Sequence, residues 1–349
     1  MPGPARLLAT VHLLAHALQQ RTAMLQGMNS GSLAPAHADL DAAVAALRRG
    51  EVIGLPTETV YGLAGAARDA RAVAQIFALK GRPADHPLIV HLAAAAQIGD
   101  WAREVPETAQ RLAARFWPGP LTLILKRRPE VLDLVTGGQD TVGLRVPAHP
   151  LAQAVLAAFG DGIAAPSANR FGHISPTTAA HVREEFGAQL PLVLDGGACT
   201  IGLESTIVDL SGATPRVLRP GQLGLATLAG VLGAAPAEGA AGAAVPRASG
   251  TLDSHYAPRA RTELVDRSTL LRHAGDARQQ VLALGTLPPG AVGLALPADA
   301  QAYGAALYAA LRTLDARQPQ RILVEVVPDS PDWWAVRDRL RRASFNADA

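Results

Sequence analysis

Two stretches joined by a single helical segment carry the densest chemistry in the chain: PTETVYGLAG, residues 56–65, and KGRPADHPLIVH, residues 80–91. The first is a hydroxyl-rich turn after a strand. The second puts Lys80, Arg82 and His86, two positive charges and one titratable ring, within seven residues, a set able to hold a polyphosphate by charge-assisted hydrogen bonds. A solvated helix end, with cations facing the negative pole of the helix, accounts for the same residues.

A third signal lies in TVGLRV, residues 141–146. Alternation along a strand puts Thr141, Gly143 and Arg145 on one face and Val142, Leu144 and Val146 on the other. Glycine between a hydroxyl and a guanidinium leaves room for a small anion, and Arg145 suits an amino-acid carboxylate; an arginine paired to a neighbouring carboxylate is the competing reading. His91 points opposite Val90 in LIVHL. In APSANRFGHISPTT, residues 165–178, Ser175 and Pro176 read as the N-cap and first residue of a helix. Ser167, Asn169 and Ser175 are then placed to donate to phosphate oxygens beside that helix start, although ordinary turn and capping chemistry explains them equally well. ESTIVD, residues 204–209, and VLRPG, residues 217–221, add Ser205 and Arg219.

The elements that must position these groups follow from periodicity. Leu40, Val44 and Leu47 recur at helical spacing before Gly50, and a second helix runs from Asp69 to Lys80 with Val73, Ile76 and Phe77 on one face. LIVHL, LTLIL, TVGLRV, GIAAP, LVLD and STIVDL read as short strands. From Gly221 to about Val245 the chain becomes Ala/Gly-rich without a strong period, which reads as a linker. Beyond it ELVD, VLALG, VGLAL and ILVEVV alternate with helices at about 298–315 and 331–342, predicting a small parallel sheet.

Composition supports this plan. A chain of 349 residues, 49% hydrophobic and 18% charged, is long enough for two domains. The formal charge of +2 argues against a nucleic-acid-coating protein, and Cys199, the single cysteine, excludes an intrachain disulfide framework and any cysteine-based zinc site and fits a cytoplasmic location. Residues 1–28 faintly resemble a charged leader followed by a short apolar run, but His12 and His16 interrupt it. No P-loop, nucleophile elbow or carboxylate cluster occurs.

PTETVYGL, KGRP with PLIVH, FWPGPLT, TVGLRVP, PSAN, ESTIVD, LRPG and SHYAP, in this order, resemble the YrdC family, the threonylcarbamoyl-AMP synthases. The likeness is dense from about residue 38 to 260. The remainder resembles the extra domain of the family's long form by architecture. Ala64 stands where the family often has glycine, and Ser249 where proline is usual before Gly250.

The resemblance implies an α/β fold: a YrdC-like twisted mixed-sheet catalytic domain (38–220), a linker and active-site lid (221–260) carrying Tyr256, and a smaller Rossmann-like parallel-sheet C-terminal domain (261–349), after a poorly patterned extension (1–37). It also implies an L-threonine pocket of Thr59, His91, Arg145, Ala165 and Ser205, and an ATP site of Lys80, Arg82, His86, Thr141, Ser167, Asn169, Ser175 and Arg219, with Lys80 and Arg82 as the catalytic cations. The implied reaction joins threonine, bicarbonate and the AMP moiety of ATP, with Mg2+ accompanying ATP, no protein-held metal and no tightly bound organic cofactor. The product would pass to a threonylcarbamoyl-transferase machinery acting on tRNA. An RNA-binding module without ATP consumption is the alternative from another class, and a carbamoyl-transfer domain a third; no membrane association is expected.

Overall fold

The computed structural model describes residues 37–239, 245–276 and 278–345, so the extension and the leader-like run lie outside the described residues. Helix α1 (His37–Arg48) packs Ala43, Ala46 and Leu47 inward, and the turn at Gly50, φ +78°, sends the chain into β1 (Ile53–Leu55). After β2 (Gly62–Ala66), Asp69 caps α2 (Ala70–Lys80) by accepting from the Arg71 N–H at 2.8 Å. Gly81 closes α2 in the left-handed conformation, and Val73, Ile76, Phe77 and Lys80 are buried, so the amphipathic face leads directly to a charged residue.

The chain continues through β3 (Ile89–His91), α3 (Glu107–Phe116), β4 (Leu121–Lys126), α4 (Asp133–Thr136), β5 (Thr141–Arg145), α5 (Pro150–Phe159) and β6 (Ile163–Ala164). Then come α6 (Ala179–Phe186), β7 (Thr206–Asp209) and β8 (Arg216–Arg219). LVLD forms no strand of its own: only Val193 bridges to Gly54. The segment expected as a linker opens instead with helix α7 (Leu225–Leu232) and strand β9 (Ala237–Glu238). Leu228 is fully buried, and β9 pairs in parallel with β8, so an Ala/Gly-rich composition conceals a short apolar helix and a sheet edge.

The resulting nine-stranded mixed sheet has the order β1-β2-β6-β3-β5-β4-β7-β8-β9. The parallel pairing of β3 with β5 puts His91 opposite Arg145 at the ends of both strands.

A second sheet follows, from β10 (Arg261–Val265), α8 (Arg267–Arg272), β11 (Gln279–Leu284), β12 (Gly293–Leu296), α9 (Ala300–Asp315), β13 (Arg321–Glu325) and α10 (Trp334–Ala343). Its order is β10-β13-β11-β12 with every pairing parallel, as helical crossovers require. The two sheets share a core: Val60, Ile174, Leu203 and Tyr256 pack among Tyr303, Leu307, Tyr308 and Trp333. Gly202, φ +73°, lies where a Cβ would come within 2.5 Å of the Ala305 carbonyl oxygen in α9. Gly202→Ala therefore combines a strained backbone with a clash at this seam and should destabilise by roughly 1–3 kcal/mol. An unchanged thermal midpoint would show that the seam is not tightly packed.

Candidate functional site

The two chemistry-bearing turns and three strand ends meet at one edge of the large sheet. Thr57 folds the loop after β1 back on itself, its hydroxyl donating to the Val60 carbonyl at 2.6 Å, and so turns Thr59 inward. Arg145, buried at the end of β5, donates from Nη1 to Thr59 Oγ1 at 2.8 Å, from Nη2 to Glu58 Oε1 at 2.6 Å and from Nε to the Gly119 carbonyl at 3.2 Å. Its partner carboxylate is thus Glu58, whose second oxygen accepts from the Ala148 N–H at 3.0 Å. His91 lies alongside, buried, with an unpartnered Nδ1. Ser205 shares a 2.8 Å hydrogen bond with Thr122 and accepts from Arg219 Nη2 at 3.1 Å. The Ala165 N–H donates to the Ile89 carbonyl, so its backbone is fixed as well.

Lys80 is fully enclosed at the end of α2 and donates to the carbonyl oxygens of Ser167 and Asn169, both at 2.6 Å. Burial, and then repulsion from Arg82, hold its pKa well below the usual lysine range. Arg82 is pushed down to about 10 by burial; it donates to the Pro87 carbonyl at 3.0 Å, and its Nε has no partner. Arg219 donates from Nε to the Ser205 carbonyl and from Nη1 to the Ser249 carbonyl at 2.9 Å; burial lowers its pKa too. Buried cations solvated mainly by carbonyl dipoles form a region that favours an added anion.

Ser175 does not cap a helix. The cap of α6 is Thr178, which accepts from the His181 N–H at 3.2 Å, while Ser175 Oγ donates to Glu204 at 2.6 Å. Asn169 Nδ2 donates to the carbonyls of Arg170 and His173, leaving Oδ1 unpartnered. Six expected residues do not line the cavity: Lys80, Arg82 and Ser175 touch it only through Ser167, Ser249 and Glu204, Asn169 turns to Arg170 and His173, His86 packs edge-on against Phe171, and Thr141 is at the far end of β5, four residues or about 13 Å from Arg145.

Thr59, His91, Arg145, Ala165, Ser167, Ser205 and Arg219 line one cavity, which Ser249, His255 and Tyr256 close. Tyr256, φ +62°, is buried between the ring of Tyr308, 5.7 Å away and stacked, and the guanidinium of Arg339 at 5.0 Å. Gly250 must be glycine here, because a Cβ would come within 2.1 Å of the Tyr256 hydroxyl. Ser249 adds a contact from Arg82 at 3.4 Å. Closed in this way, the cavity measures about 30 Å³, room for about two waters. Among the described residues, no group of three or more His, Cys, Asp and Glu side chains is arranged to hold a metal ion, and no helix is long and apolar enough to cross a membrane.

Sequence reasoning missed Glu58, Thr122, Ser249, His255 and Arg339. Glu58 sits inside PTETVYGL and pairs with a residue 87 positions away, and Arg339 looks like any helix arginine beside Arg337, Arg341 and Arg342.

This combination of a buried cationic cavity on a nine-stranded mixed sheet and a parallel-sheet partner domain defines a two-domain α/β enzyme. Residues 45–221 match the Sua5/YciO/YrdC family model, described as "Telomere recombination", and residues 223–344 match the model described as "Threonylcarbamoyl-AMP synthase, C-terminal domain". The chain belongs to the threonylcarbamoyl-AMP synthase family, in its two-domain form. It is 39% identical to the threonylcarbamoyl-AMP synthase of Pyrococcus abyssi, covering 85% of this chain and 92% of that protein, and 38% identical to that of Bacillus subtilis, covering 86% and 92%. The crystal structure of P. abyssi Sua5 complexed with L-threonine superposes with a TM-score of 0.81 at 39% identity, covering 87% of this chain and 94% of that one.

The histidines give the site a pH signature. Burial, followed by Arg145, pushes His91 down to about 3; burial does the same to His255, against the opposing pull of Glu204. Free histidine titrates near 6.5, so between that pH and about 3 the unfolded chain holds protons that the fold excludes. Their stabilising contribution is present above pH 6.5 and lost as the pH falls. Glu204 and Glu185, both at about 2, lose theirs only below about 4.5. The urea midpoint should therefore fall between pH 7 and 5, and fall less steeply in His91→Gln; equal slopes would mean that His91 titrates normally in the fold.

Proposed function

We propose that this chain synthesises L-threonylcarbamoyladenylate from L-threonine, bicarbonate and ATP, releasing pyrophosphate. The observation that carries the reading is the convergence of Arg145, Thr59 and His91 with Ser205 and Arg219 on one cavity, with Lys80 immediately behind Ser167 and Arg82 against Ser249. Arg145 uses three of its five N–H groups on Gly119, Thr59 and Glu58, leaving two for a threonine carboxylate. The neutral ring of His91 and the hydroxyls of Thr59 and Ser205 are suited to the amine and hydroxyl of threonine, a polar readout that favours threonine over analogues lacking the hydroxyl.

In the proposed reaction the threonine amine and bicarbonate give a carbamate with loss of water. A carbamate oxygen then attacks the α-phosphorus, and the bond to the pyrophosphate leaving group breaks. Lys80, Arg82 and Arg219 would stabilise the phosphoryl charge, with Ser167, Asn169 and Ser175 alongside. Thr141 and His86 would contact parts of an extended nucleotide outside the closed cavity. Glu58 and Glu204 are both committed to arginines, a donor set that fits a Mg2+ ion carried by the triphosphate better than a protein-held one. The product would serve N6-threonylcarbamoyladenosine formation at position 37 of tRNAs reading codons that start with A, through a partner transferase in the cytoplasm.

The segment carrying Tyr256 is proposed as a lid: a cavity for two waters admits neither substrate until residues 249–256 move. Purified protein should release pyrophosphate from ATP only when both threonine and bicarbonate are present. Arg145→Ala should lower kcat/KM for threonine by about 100-fold or more. Release independent of threonine would sink the proposal, and salt-sensitive RNA binding without ATP turnover would favour the RNA-binding alternative. Truncation after Gly221 should impair turnover; an unimpaired truncation product would remove the lid.

A further inference from the structure

Among the described residues, Arg339 is the largest charged side chain with no solvent exposure, and it belongs to α10 of the small domain, not to the sheet that builds the cavity. Its Nε donates to Glu204 Oε2 at 2.8 Å and its Nη2 to the Pro220 carbonyl at 2.9 Å. Both acceptors directly precede or follow site residues: Glu204 precedes Ser205, and Pro220 follows Arg219. Tyr308, from α9 of the same small domain, donates to the same Glu204 oxygen at 2.9 Å, while the other Glu204 oxygen accepts from Ser175.

Glu204 lines the cavity. A carboxylate there, short of countercharge, would repel a triphosphate and compete for the Arg219 guanidinium. Burial alone would push the Glu204 carboxyl up; Arg339 first, then Arg219, and the hydrogen bonds from Ser175 and Arg339 outweigh it and hold the group ionised at about 2. The large domain supplies the Ser175 hydroxyl and, at longer range, the charge of Arg219 to this carboxylate, and the small domain supplies Arg339, whose Nη1 also donates to Asp338 at 2.7 Å.

We infer that Arg339 is a positioning residue for the nucleotide site: by pairing with Glu204 and holding the Pro220 carbonyl, it keeps Arg219 available to the triphosphate. The small domain would then be an electrostatic component of the active site. The inference rests on the ATP reading above, in specifying what sustains that subsite.

The test is equilibrium binding of ATP, with kinetics alongside, in the full-length chain. Arg339→Met removes the charge and keeps the length of the side chain; it should weaken ATP binding and raise KM for ATP about tenfold or more, with a much smaller change in KM for threonine. Adding Glu204→Gln removes the stranded carboxylate while preserving a donor and acceptor for Ser175 and Tyr308, and should restore ATP affinity to within about threefold of the parent. Circular dichroism of each variant identifies any that fails to fold, and Arg339→Lys, which keeps the charge, then serves in place of Arg339→Met, with retained ATP affinity expected. Equal losses in the single and double variants, or a loss in Arg339→Lys as large as in Arg339→Met, would overturn the inference and leave Arg339 a packing residue. A parent chain that binds ATP but releases no threonine-dependent pyrophosphate would remove the proposed reaction and leave the charge argument standing. A parent that binds no ATP would overturn both.

Discussion

Four buried cations, Lys80, Arg82, Arg145 and Arg219, crowd one edge of the large sheet, and the surrounding structure is arranged to tolerate them. An unpaired buried charge costs several kcal/mol, of order, after relaxation. Only Arg145 has a carboxylate of its own in Glu58; the others rest largely on the carbonyl oxygens of Ser167, Asn169, Pro87, Ser205 and Ser249. Loops that look irregular are therefore constrained, because each must aim a carbonyl at a cation. The arrangement holds positive charge in place with dipoles, which an incoming phosphate can supplement without first displacing a salt bridge.

The same constraint explains the seam between the two sheets. Val60, Ile174, Leu203 and Tyr256 bury themselves against the small domain, and Glu204 crosses the seam to reach Arg339 and Tyr308. The apolar contacts provide the area, while the polar ones fix the register of the ESTIVD segment relative to α9 and α10. Neither sheet presents a finished surface to the other in isolation.

Much of this was legible in the residues. Strand alternation places Arg145 and His91 toward one face, and helix caps at Asp69 and Gly81 deliver Lys80 to the end of α2. The parallel alternation after residue 260 yields the small sheet. What could not be read locally depended on partners distant in sequence. Ser175 has the local pattern of a cap, but a carboxylate 29 residues away claims its hydroxyl and moves the cap to Thr178. Helix α7 was hidden because Ala and Gly dilute the period of LATLAGVL. Arg339 carries no local mark at all, since its significance lies in a pairing 135 residues back.

The Arg219 guanidinium that would meet a phosphate currently holds the Ser249 carbonyl, and Arg82 reaches the Ser249 hydroxyl. A nucleotide bound as proposed would draw on the same donors as the Ser249 segment, so an anion would first have to outcompete the protein's own chain. A ligand's apparent affinity falls by the fraction of molecules that are open. A lone orthophosphate, able to satisfy only a few donors, recovers little of that difference, whereas a polyphosphate spanning several cations recovers much more. If residues 249–256 open as proposed, the closure would act as a threshold filter, keeping a strongly cationic pocket from being silenced by the small anions that surround it.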